Sequence, residues 1–164
     1  RTQESLAVLR EGQRMAPDHP ILMNNLGYTL LENGGDLVEA ARLIEAALKK
    51  DPQSGSTMDS YGWVLFKQGK FTDAEAALRK AVELSPFSPE IRRHFGEVLL
   101  KLDRPTEALE QWERALAFVF PGRSELEKRT QELRIAVAKR RMQQEVVEEE
   151  PMEPEPEGEL EELP

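Results

Sequence analysis

Apolar positions along residues 17–120 recur at helical spacing, and the pattern itself repeats. Leu26-Gly27, Tyr61-Gly62 and Phe95-Gly96 mark the same point three times, with the glycines 35 and then 34 residues apart. After each glycine comes an alanine (Ala40, Ala74, Ala108), four residues on a large apolar side chain (Ile44, Leu78, Trp112), and three further a second alanine (Ala47, Ala81, Ala115). Pro52 and Pro86 follow the first two units, and Phe120 then Pro121 the third. Residues at i, i+4 and i+7 share one helix face, so each trio predicts a buried stripe. Glycine and alanine let two helix backbones approach, while the large residue fills the space beside them. Three helical hairpins are expected, with Ile44, Leu78 and Trp112 buried at equivalent places.

Local signals bound the helices. Asp36 with Glu39 and Thr72 with Glu75 have capping-box spacing, and Pro105 suits a first helical turn. Upstream, Ser5, Leu9, Gly12 and Pro17 fall on the landmarks of a second helix, so the chain is expected to open with half a unit, as a fragment would; it also begins at Arg1 and not at Met. Downstream, Ser124 with Glu127 has capping-box spacing again, and Leu126, Thr130, Leu133 and Val137 form one stripe. They predict a long helix over about 124 to 147. Its other faces carry Lys128, Arg129, Arg134, Lys139, Arg140 and Arg141, either a polar exterior closing a stack or a basic docking strip for an acidic partner. Beyond Glu150, alternating proline and glutamate can neither bury a core nor continue a helix, and an acidic disordered tail is expected.

A Leu-Gly pair followed by Ala, a large apolar residue, Ala and Pro, three times in register, resembles the tetratricopeptide repeat family. Amphipathic helices with alanine stripes also build ordinary bundles, but the sustained period favours an array. The resemblance covers about residues 17 to 120 and implies an all-α fold, a right-handed α-solenoid of antiparallel helix pairs with a C-terminal capping helix. The expected division is 1–16, second helix of a truncated repeat; 17–52, 53–86 and 87–120, three repeats; 121–148, capping helix; 149–164, acidic tail. The family often places tryptophan early in the first helix, where this chain has Met23, Met58 and Arg92, and the arginine puts the third hairpin's packing in question. The block LENGGDLVEA, with LGYTL before and DSYGWVLFKQGK after, is similar to the closing repeats of bacterial tetratricopeptide proteins, including outer-membrane-anchored lipoproteins that act as adaptors for periplasmic proteases. That narrower likeness would imply a periplasmic adaptor, with a cytoplasmic protein as the alternative.

Composition narrows the function. At 164 residues, 39% of them hydrophobic, one packed body is expected. The absence of cysteine removes disulfides, thiolate nucleophiles and cysteine-ligated zinc. No apolar run approaches the roughly 18 residues that cross a bilayer, so no direct membrane insertion is expected. The formal charge of −9 belongs to the end of the chain: the last twenty residues hold ten glutamates and no lysine or arginine, which leaves −9 + 10 = +1 for the rest. A neutral body with an acidic tail offers no basic face for nucleic acid.

No GxxxxGK[ST], HExxH or GxSxG is present, so neither catalysis nor a cofactor or metal is expected. His19, in a turn, and His94, beside Phe95, read as exposed or structural rather than as ligands. What the resemblance implies instead is a scaffold or adaptor that binds another protein or peptide along a concave face lined by the first helices. The register of the Leu-Gly pairs places Asn24, Tyr28 and Leu31, then Asp59, Trp63 and Phe66, then Arg93, Glu97 and Leu100 on that face. Trp63 and Tyr28 are the expected apolar anchors, although a residue at the place of Trp63 can equally pack on the neighbouring first helix. Relatives that grip a C-terminal carboxylate use lysine, asparagine and arginine at such sites; only Asn24 and Arg93 fit, and Asp59 would repel the ligand, so no such clamp is expected. The alternative is a structural or oligomerising segment of a larger protein, with homo-oligomers possible.

Overall fold

The computed structural model describes residues 2–149, with side chains for 3–144. Eight helices follow one another: α1 (Thr2–Met15), α2 (Pro20–Glu32), α3 (Leu37–Lys50), α4 (Gly55–Lys67), α5 (Phe71–Leu84), α6 (Pro89–Lys101), α7 (Pro105–Leu116) and α8 (Arg123–Glu149). No strand occurs among the described residues. Helices α2 and α3, α4 and α5, and α6 and α7 pair most closely. The pairs stack through α3 on α4 and α5 on α6, while α1 packs on α2 and α8 on α7. The first helices also touch one another directly, α2 with α4 and α4 with α6. The result is an all-α solenoid of antiparallel helix pairs.

The spacing of small and large residues explains the pairing. Ile44 and Leu78 are 0% exposed and Trp112 is 1% exposed, with Ala47, Ala81 and Ala115 fully covered beside them. Each of the three large side chains lies against the glycine of its partner helix. A Cβ on Gly27 would stand 2.7 Å from Ile44 Cγ1, one on Gly62 2.8 Å from Leu78 Cγ, and one on Gly96 2.2 Å from Trp112 Nε1. These are sub-van-der-Waals distances, so only glycine lets the hairpins close this tightly. The Trp112 indole N–H donates to the Arg93 carbonyl at 3.1 Å, which satisfies its one polar atom.

Several boundary signals resolve differently. Asp36 caps α3, its Oδ1 accepting from the Val38 and Glu39 amides at 2.8 and 3.2 Å. Helix α5, however, begins at Phe71 after Lys70, which makes no side-chain cap, so Thr72 already lies inside the helix. Ser124 is likewise internal, because α8 starts at Arg123 behind Gly122, whose φ is +85°. Uncapped amides at a partly exposed helix start can turn to water. Pro105 does open α7. Arg92 keeps the third hairpin packed by polar means: its guanidinium donates to the Pro86 carbonyl at 2.8 Å and to Gln111 Oε1 at 3.0 Å.

Helix α8 seals the open side of α7 with Leu126 and Thr130, each 2% exposed, and with Val137, while Leu133 is half-buried. Three of the six cations on its other faces, Arg129, Arg134 and Arg140, have carboxylate partners on the preceding helices and turns. Arg134 donates to Glu113 at 2.6 Å, Arg140 to Asp103 at 3.3 Å, and Arg129 makes a bidentate contact with Glu97 of α6. The expected acidic tail beyond Glu149 lies outside the described residues.

Candidate binding face

Three first helices in direct contact make one continuous face, and its residues come from equivalent turns of α2, α4 and α6. At its centre Asp59 of α4 and His94 of α6 are both buried, 6% and 1% exposed. His94 Nδ1 lies 2.9 Å from Asp59 Oδ1 and 3.0 Å from Oδ2. An Arg93 guanidinium nitrogen stands 2.8 Å from His94 Nε2, and the Tyr28 hydroxyl of α2 is 3.4 Å from the same atom. A guanidinium only donates, so Nε2 accepts; the ring proton is on Nδ1 and is donated to Asp59. One imidazole thus ties all three first helices together.

A second tie runs beside it. The Trp63 indole N–H donates to Glu32 Oε1 of α2 at 2.6 Å. Its ring stacks on His94 on one side, with centroids 4.3 Å apart, and on Phe66 on the other at 4.5 Å. Lys67 Nζ sits 5.1 Å from the same ring centroid, within cation–π range. The Tyr28 phenol is pushed up to about 12, first by burial and then by the carboxylates of Glu32 and Asp59, with Arg93 acting against them. At the far end, Arg129 of α8 lies 4.6 Å over the Trp112 ring and pairs with Glu97. Glu97 chiefly, through its hydrogen bond, holds the Arg129 guanidinium above its usual range. Arg93, Glu125, Leu126 and Arg129 help line a cleft of about 270 Å³ there.

The nine residues expected on the face fall into two groups. Tyr28, Phe66, Arg93, Glu97 and Leu100 are half-buried and keep atoms at the surface. Asn24, Leu31, Asp59 and Trp63 are covered, at 6 to 7% exposure. Trp63 is therefore a core residue and not an open anchor, the alternative that its place in the first helix allowed, and Leu31 is covered as well. Asp59 is corrected as well: its charge is turned inward onto His94 instead of facing a ligand. Asn24 is buried with its Oδ1 unpartnered. Sequence spacing did not single out Glu32, Lys67 or Arg129 for the face. His94, read as structural or exposed, is fully buried, and His19 is exposed. The available signal for the buried pair is that Asp59 and His94 lie 35 residues apart, close to one repeat.

The family model described as tetratricopeptide repeat matches residues 1–55 and 62–124. The chain belongs to the tetratricopeptide repeat family. Among curated relatives, it is 41% identical over 81 residues to the TPR repeat-containing protein PA4667 of Pseudomonas aeruginosa, covering 49% of this chain and 14% of that one. It is 31% identical over 115 residues to the protein O-mannosyl-transferase Tmtc1 of Drosophila melanogaster, covering 66% of this chain and 13% of that protein. The chain thus spans about a seventh of the length of these relatives. Among solved tetratricopeptide structures, TTC0263 of Thermus thermophilus superposes with a TM-score of 0.67 at 24% identity, over 82% of this chain and 73% of the other. The first tetratricopeptide domain of Spaghetti (RPAP3), bound to the HSP90 peptide SRMEEVD, superposes with a TM-score of 0.64 at 21% identity, over 73% and 93%. These likenesses establish the tetratricopeptide fold, which generally serves protein–protein interaction.

Proposed function

We propose that this chain is a non-catalytic adaptor module that holds an extended or helical segment of another protein along the face of α2, α4 and α6. The observation that carries the reading is the pair of ties between the first helices, Tyr28–His94–Asp59 and Trp63–Glu32, of which the His94–Asp59 bond is buried. They fix three helices into one rigid floor, and Tyr28, Phe66, Arg93 and Leu100 keep atoms at its surface. A preorganised surface loses less freedom on binding, and half-exposed aromatic and arginine side chains are the residue types that dominate binding energies. We read 17–52, 53–86 and 87–120 as the repeats, 1–16 as the second helix of another, and 121–148 as the cap.

The buried Asp59–His94 pair looks at first like acid–base machinery. The unprotonated imidazole nitrogen already accepts from Arg93 with its one lone pair, so the pair braces helices and has no lone pair left for a substrate. A peptide-bound neighbour supports a binding role; the transferase name of a relative belongs to a protein of which this chain matches 13%. Ile135 and Met142, exposed on α8, favour a second reading, an oligomerising segment. Panning a display library of random twelve-residue peptides against the chain separates the two. Peptides that bind the wild type and are lost on Tyr28→Ala/Arg93→Glu, with the variant still folded, support the concave face; no such peptides, with self-association in sedimentation, support the other.

A further inference from the structure

We propose that the cleft between α1 and α2 takes an amphipathic helix of a separate protein, one that sets a glycine against Leu9 and carries a basic last turn. The site uses Asn25 and Thr29 of α2, other residues than those of the face above, and does not depend on that reading.

The array shows what this surface is shaped to hold. Ser5, Leu9 and Gly12 stand on α1 where Ala40, Ile44 and Ala47 stand on α3, 35 residues later. Asn25 and Thr29 of α2 likewise stand where Ser60 and Val64 stand on α4, and His94 and Val98 on α6. Each of those later residues is at most 3% exposed. They are covered because a second helix packs on its own first helix, and a first helix on the pair before it. At α1 and α2 no described helix takes that place. Ser5 and Asn25 are exposed, Leu9, Gly12 and Thr29 are half-buried, and Val8 is 71% exposed where its counterpart Leu43 is 1%. Glu4, Ser5, Val8 and Leu9 line a cleft of about 690 Å³ there with Asn25 and Thr29. At the other end of the array α8 packs on α7 and buries Leu126 and Thr130.

The repeats also give the chemistry of the occupant. Gly27, Gly62 and Gly96 face Ile44, Leu78 and Trp112 too closely for a Cβ. Leu9 holds the same place on α1, so the bound helix presents a glycine to it. Antiparallel pairing brings the end of that helix beside Glu4. Helices α4 and α6 carry Lys67 and Lys101 in their last turns, and a basic last turn here would answer both Glu4 and the helix dipole. The polar groups of the cleft point to a separate protein. Ser5 and Thr29 bring hydroxyls to positions where Ala40, Ala74 and Ala108, and Val64 and Val98, place only apolar side chains in the permanent core. Such groups suit a surface that is wet in one state and covered in the other, as in reversible interfaces. Helix α1 is held without the occupant, since Leu6 and Leu9 pack on the core of α2 and α3 and Arg10 donates to Glu39 at 2.9 Å.

The test titrates the chain with a peptide of its own residues 88–102, a first helix with Gly96 and Lys101, held helical by a lactam bridge. Amide shifts that saturate at Ser5, Leu9, Asn25 and Thr29 are expected. Gly96→Leu in the peptide should weaken binding about 10-fold or more, although leucine is the better helix former, because its side chain meets Leu9. Val8→Glu in the chain, an exposed substitution that leaves the fold intact, should weaken it to a similar degree. Tyr28→Ala/Arg93→Glu should leave it unchanged, so that this site and the face of α2, α4 and α6 fail separately. No saturable shifts at these residues, or equal binding of the Gly96→Leu peptide, would overturn the proposal. Self-association of the chain that Val8→Glu abolishes would give the cleft to a second copy and overturn it too. So would loss of the peptide signal in a longer form of the protein whose upstream residues cover Leu9.

Discussion

His94 on α6 donates from Nδ1 to both carboxylate oxygens of Asp59 on α4, and the two side chains are buried together. Removing the acceptor would leave a buried imidazole N–H unpaired. Asp59→Ala is therefore expected to destabilise the fold by about 1–3 kcal/mol in urea denaturation. Asp59→Asn, which keeps an acceptor, should lose less. Equal losses from the two substitutions would mean that the bond to His94 does not hold these helices.

Trp63 decides between an anchor and a brace. As a covered ring stacked between His94 and Phe66, it predicts that Trp63→Ala lowers stability by about 3–5 kcal/mol, as core truncations of this size do. Melting curves check this. A Trp63→Ala protein as stable as the wild type but unable to bind peptide would restore the open-anchor reading.

The three glycines against the stripe differ in what they face. Gly62 meets Leu78, a side chain that can change rotamer, whereas Gly96 meets the rigid indole of Trp112 at a shorter distance. Gly96→Ala should then cost about 1–3 kcal/mol by overpacking, and Gly62→Ala less. Leu78→Ala, which opens a cavity instead, should cost about 2–5 kcal/mol. Denaturant midpoints of the three variants give the order directly.

Tyr28 should make stability fall at high pH. Its phenol is raised to about 12 in the folded chain against an ordinary value near 10 in the unfolded one. Between those values the unfolded state has released the proton that the folded state still binds. The stabilisation is thus complete below about pH 10 and is lost as pH rises toward 12. The phenolate absorbance of wild type minus Tyr28→Phe isolates this group from Tyr61; a midpoint near 10 for Tyr28 would contradict its buried, carboxylate-flanked setting.

Much of the fold was legible because its signal is periodic. Ile44, Leu78 and Trp112 recur at the same place after Gly27, Gly62 and Gly96, and helical geometry turns that recurrence into a buried stripe without further information. The caps at Thr72 and Ser124 were misplaced because a capping-box spacing also occurs by chance one or two residues inside a helix, where the backbone has already turned. Five of the nine residues expected on the first helices keep atoms at the surface and four are covered. Whether a residue there is open or covered depends on the distance between neighbouring first helices, which no single repeat encodes.

The sequence by itself determined the helix pairs, their number among the described residues and the stripe that joins each pair, since these follow from contacts within about 20 residues along the chain. Only the tertiary structure decided what the residues on the face of α2, α4 and α6 do. Tyr28, Asp59 and His94 come from three different helices, and the hydrogen bonds among them exist only once stacking brings those helices together. The same stacking covers Trp63, turns Asp59 inward and leaves Asn24 Oδ1 without a partner, because burial and polar pairing are properties of the assembled face and not of any position on one helix.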